Sequence, residues 1–108
     1  MIKPEIAAPA PYRTTPVFDQ DSLPQALRRE HSTKAGVWGI VRLIEGRLRL
    51  DYGDGSPSCI LSPDRPGLIL PEQPHHVTPL GAMRMQVEFF DSPPVLDRSS
   101  QSLRWRSG

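Results

Sequence analysis

Apolar residues fall in short runs and two-residue alternations across the middle of the chain. Residues 37–43 (VWGIVRL) are β-branched and aromatic, the signature of a buried strand. Residues 47–52 alternate strictly and put Leu48, Leu50 and Tyr52 on one face. Residues 83–90 alternate again, with Met83, Met85, Val87 and Phe89 on the inward face. Shorter strands are expected over residues 58–61, 68–70 and 75–78. A first strand over residues 12–18 is interrupted by Pro16 and therefore belongs at a sheet edge. Residues 21–27 suit a helical turn, with an extended run over 25–31 as the alternative. Turns are marked by Glu45-Gly46, Gly53-Asp54-Gly55 and residues 64–67, where glycine and aspartate tolerate positive φ. Short strands with turn signals roughly every 8–12 residues form the pattern of a sandwich or small barrel, an all-β fold.

Composition agrees with that reading. Thirteen prolines and eight glycines among 108 residues favour turns over helices. The length is that of one domain. Residues 1–11 read as a flexible arm, 12–92 as the folded domain and 93–108 as a weakly ordered tail with Leu103 and Trp105 as apolar anchors. Thirteen basic against twelve acidic residues give a net charge of +1, which demands neither nucleic acid nor an anionic membrane as partner. Arg98, Arg104 and Arg106 are too scattered for a nucleic-acid footprint. The single cysteine, Cys59, allows no intrachain disulfide and suits a reducing compartment. No apolar run approaches the ~20 residues of a membrane span, and a cytoplasmic location is expected.

Several segments resemble the TehB/YeaR-like cupin family. They are Tyr12, Thr15-Pro16-Val17-Phe18, His31-Ser32-Thr33-Lys34-Ala35-Gly36-Val37-Trp38-Gly39, Leu43-Ile44-Glu45-Gly46-Arg47-Leu48, Pro71-Glu72-Gln73-Pro74-His75-His76-Val77 and Val87-Glu88-Phe89-Phe90. The resemblance implies a double-stranded β-helix, a small jelly-roll barrel with an open mouth, in a stand-alone form of the domain. In TehB-type proteins the domain precedes a methyltransferase associated with tellurite resistance. No Gly-rich nucleotide loop follows a strand here, so the resemblance does not carry methyl transfer to this chain.

Cupin barrels often hold a divalent metal with two or three histidines and a carboxylate, and zinc, iron or nickel suit such ligands. Here the first motif keeps only His31, and His75 matches the histidine of the second. The metal candidates are therefore His31 and His75, with Glu88 or Glu72 as carboxylate. His76, next to His75, should face the other side of its strand. Lys34, Trp38 and Arg42 are the candidate ligand-binding residues, and Lys34 would attract an anion. Three roles follow: a binding module for a small anion or metal-bound ligand in a tellurite or oxyanion response, a two-histidine metalloenzyme, and a structural domain that pairs through an edge strand as a homodimer.

Overall fold

A computed structural model of the chain describes residues 9–95. Most of the expected arm, and the tail with Leu103, Trp105 and its arginines, lie outside the described residues. The elements are β1 (Arg13–Thr14), β2 (Phe18–Asp19), α1 (Gln25–Arg28), β3 (Trp38–Glu45), β4 (Leu48–Tyr52), β5 (Cys59–Leu61), β6 (Gly67–Ile69), β7 (His75–Pro79) and β8 (Arg84–Phe90). All strand pairs are antiparallel. One sheet runs β1-β8-β3-β6, with β2 following β1 along the same edge of β8, and the other runs β5-β4-β7. A bridge between His31 and His75 extends the second sheet by one residue beyond β7. The two sheets face each other and do not close into one barrel, so the all-β expectation holds in this coarser form.

The expected first strand is split. Thr15 still donates its N–H to the Val87 carbonyl of β8 at 2.9 Å, the pairing breaks at Pro16, which has no N–H to donate, and it resumes at Phe18. The 21–27 segment forms its helical turn as the four-residue α1, not the extended alternative.

The core is built from both sheets. Val41 and Leu43 of β3, Ile69 of β6 and Met85 and Val87 of β8 meet Leu48 and Leu50 of β4, Leu61 of β5 and Val77 of β7. Met83 and Leu23 complete it. The alternation of residues 83–90 thus places its apolar stripe as expected, with Phe89 half-buried at the cluster's margin. The sheets are also tied by Tyr52, whose hydroxyl donates to the Leu68 carbonyl at 2.6 Å, from β4 across to β6. Burial pushes that phenol well above its ordinary value. The β3–β4 turn rests on Gly46, whose φ of 79° favours glycine and whose Cβ, if it had one, would lie 2.3 Å from the Ala82 carbonyl.

Candidate functional site

At the end of the sandwich away from that turn the two sheets part around a cavity of about 170 Å³. Val41 and Gly39 of β3 and Met85, Val87 and Phe89 of β8 form one wall, and His75 and Val77 of β7 form the other. Ile69, Leu27 and Thr15 close the sides, and His31, Ser32 and Thr33 form the lip. The space exists partly because β3 carries glycine at position 39. A Cβ there would meet Ile69 at an ordinary 3.5 Å, so no clash demands the glycine. The lining is overwhelmingly apolar.

His31 and His75 are 44 positions apart in sequence and adjacent in space. Each donates its backbone N–H to the other's carbonyl, at 3.0 and 2.8 Å. Such a hydrogen-bonded antiparallel pair puts both side chains on the same face of the sheet. Their ring centroids are 4.1 Å apart at an interplanar angle of 57°. Each Nδ1 contacts the carbonyl two residues earlier, His31 with Arg29 at 2.9 Å and His75 with Gln73 at 2.8 Å. A carbonyl can only accept, so both Nδ1 atoms carry the proton. His75 is 5% exposed, and burial lowers its pKa below the ordinary 6.5.

The loop before His75 is clamped by a residue that sequence reasoning passed over. Gln73 accepts the Leu70 N–H at 2.9 Å and donates to Asp54 at 3.0 Å. Thr33 accepts the Glu72 N–H and donates to the Leu70 carbonyl, so the lip is fastened to the same loop. The signal was the pair of prolines, Pro71 and Pro74, that enclose Gln73 and stiffen the approach to the strand.

The other expected site residues are not brought to the cavity. Because Gly39 and Val41 face it, strand alternation turns Trp38, Ile40 and Arg42 to the opposite face of the sheet. There Arg42 Nε donates to Glu88 Oε1 at 2.8 Å, so the two are partners of one another. Lys34 is exposed in the loop before β3, and Glu72 is exposed in the turn before β7. His76 points away from His75's face and lies 3.4 Å from Asp51.

The expected divalent metal therefore has two imidazoles near one another and no carboxylate with them. Structural metal sites use about four protein ligands and catalytic ones about three. Among the described residues no group of three or more His, Cys, Asp or Glu is placed to hold an ion.

A family model described as TehB-like domain matches residues 13–87. The chain belongs to the TehB-like domain family. Two curated relatives, both named "Probable S-adenosyl-L-methionine-dependent methyltransferase TehB", come from two Haemophilus influenzae strains. They are 33% and 32% identical over 57 residues, about half of this chain and 20% of each relative. This TehB-like domain thus spans about a fifth of the curated relatives it matches. The crystal structure of TehB from Haemophilus influenzae is 27% identical with a TM-score of 0.70, covering 77% of this chain and 31% of that one. A crystal structure of an Escherichia coli K12 protein shares the fold at 16% identity and a TM-score of 0.70, over 85% of this chain and 99% of that one.

These relatives overturn the functional expectation. They tie the TehB-like domain to a methyltransferase-related family, not to a cupin that captures an anion or metal-bound ligand or acts as a two-histidine metalloenzyme. They also replace zinc, iron or nickel with S-adenosylmethionine as the group the family implies. The cavity does not fit that group. Its volume lies below the roughly 300–1,000 Å³ of pockets for ligands of that size. Its walls carry no carboxylate for ribose hydroxyls or for a sulfonium charge. The described fold offers antiparallel sheets and one four-residue helix, not the parallel sheet and glycine-rich strand-to-helix loop that hold nucleosides. No helix among the described residues is long and apolar enough to cross a membrane.

Proposed function

We propose that this chain is the small-molecule-binding module of a methyltransferase-related family and takes a compact, uncharged, largely apolar molecule between its sheets. Methyl transfer belongs, in this reading, to the four-fifths of the relatives that this chain does not match. The observation that carries the reading is the cavity of about 170 Å³ between two otherwise tightly packed sheets. Apolar cavities of about 150 Å³ stay dry and accept a benzene-sized guest. The walls offer an anion nothing, since Lys34 and Arg42 are turned elsewhere and burial favours a neutral His75.

The strand order supports a finer reading of the fold. Counting β1 and β2 together as the first strand and the His31 bridge as a minimal second, the sheets run first-eighth-third-sixth and second-seventh-fourth-fifth. That interleaving supports reading the fold as a jelly roll, in which the chain winds as a folded double strand and leaves one open end. The cavity sits at such an end.

Titration of the ¹⁵N-labelled chain with toluene, followed through amide and methyl shifts, tests the function. Saturable changes confined to Val41, Ile69, Val77, Met85 and Val87 are expected, with no response to S-adenosylmethionine. Saturable binding of S-adenosylmethionine without any toluene effect overturns the reading.

A further inference from the structure

We propose that His75, held beside His31 in the cavity wall, makes the cavity selective for guests that bring a hydrogen-bond donor: a small phenol or alcohol with an apolar body. The inference rests on the cavity binding an apolar guest at all, and names the class of that guest. Its basis is a count of the polar groups in the wall. The Thr15 hydroxyl donates to the Pro16 carbonyl at 2.9 Å and accepts the Val87 N–H at 3.0 Å. The Thr33 hydroxyl is likewise engaged twice, with the Leu70 carbonyl and the Glu72 N–H. Ser32 is exposed at the lip. There remain the two imidazoles.

Both rings are tied back to their own chain segments through protonated Nδ1 atoms. In the neutral ring that tautomer leaves Nε2 with a lone pair and no proton. Neither Nε2 has a protein partner among the described residues, and His75 is a buried residue that lines the cavity. A buried acceptor left without a donor is costly, and native structures almost always supply one. Here the buried His75 gives the cavity wall an acceptor and, inside the lip, no free donor meets it. A guest with an O–H satisfies it. A carboxylate or an oxyanion, which only accepts, meets a lone pair, and a hydrocarbon leaves it unmet.

Phenol and toluene match in shape and differ in the donor, so titrating the full chain with each is the test. Phenol is expected to bind roughly fivefold to tenfold more tightly, the return on one buried hydrogen bond. In ¹⁵N spectra the His75 Nε2 resonance should move upfield with phenol and stay in place with toluene. His75→Leu should erase the preference while toluene still binds. The Nε2 shift is read on the natural chain, so the test stands even if that variant folds poorly. Toluene binding as tightly as phenol, with Nε2 unmoved, overturns the donor requirement and leaves the apolar cavity reading intact. If neither guest binds, both fall.

Discussion

Burial of His75 makes stability depend on pH below neutrality. Its ring is buried and neutral, with a pKa held below 6.5 by desolvation first and by the neighbouring imidazoles in smaller measure. Well above pH 6.5 the ring is uncharged in folded and unfolded chains alike and contributes no pH dependence. As the pH falls through 6.5 the unfolded chain takes up a proton that the folded one refuses, so stability declines, by at most about 1.4 kcal/mol per pH unit for one group. The decline ends once the pH is below the lowered folded value. Asp19, Asp51 and Asp54, whose pKa values are lowered mainly by hydrogen bonds, lose their contributions only as the pH falls through the carboxylate range below 3.8. Urea midpoints between pH 7.5 and 5 should therefore drop in the natural chain and drop less in His75→Leu. Arg42 offers a contrast. Its ion pair with Glu88 is part-exposed, at 34% and 20%, and lies on the far face of the sheet. Arg42→Ala should cost less than about 1 kcal/mol and leave toluene affinity unchanged. A large loss of affinity would place that residue in the site after all.

At the scale of elements, legibility depended on parity. Residues 83–90 show a clean two-residue period, and their inward face follows directly from it. Residues 37–43 do not. Ile40 and Val41 are adjacent and both buried, at 0% and 3%, so an unbroken apolar run conceals which face is which. That is why Arg42 was expected in the pocket, although Gly39 and Val41 are the β3 residues that line it. The proximity of His31 and His75 was equally beyond local pattern. It depends on one long-range bridge, and resemblance alone had suggested it. The β3–β4 hairpin was the easier case, since a glycine after Glu45 between two strands has few uses other than a turn. Gly46→Ala should destabilise the fold by roughly 2–5 kcal/mol, from left-handed strain plus the collision with the Ala82 carbonyl and Met83. A urea unfolding curve within about 1 kcal/mol of the natural chain's would show that the turn relaxes freely.

For the molecule as a whole, cavity and core draw on the same two sheets, so stability and binding oppose one another at Gly39. An alanine there has room, with Ile69 at 3.5 Å, and removes a flexible glycine from a strand. Gly39→Ala should gain roughly 0.5–1 kcal/mol in thermal or urea unfolding, and lower toluene affinity because the new methyl occupies part of the cavity. A gain in both properties would mean that guests enter elsewhere.

The second sheet has an unusual last rung. Beyond β7 it continues for a single residue, fastened by two hydrogen bonds between His31 and His75. One-rung extensions detach more readily than ladders, and this one carries the lip. Its amide protons are thus a built-in gauge of how often the entrance unlatches. In deuterated water the His31 amide should exchange well ahead of those in the β3–β8 ladder, and a bound guest should slow it in proportion to occupancy.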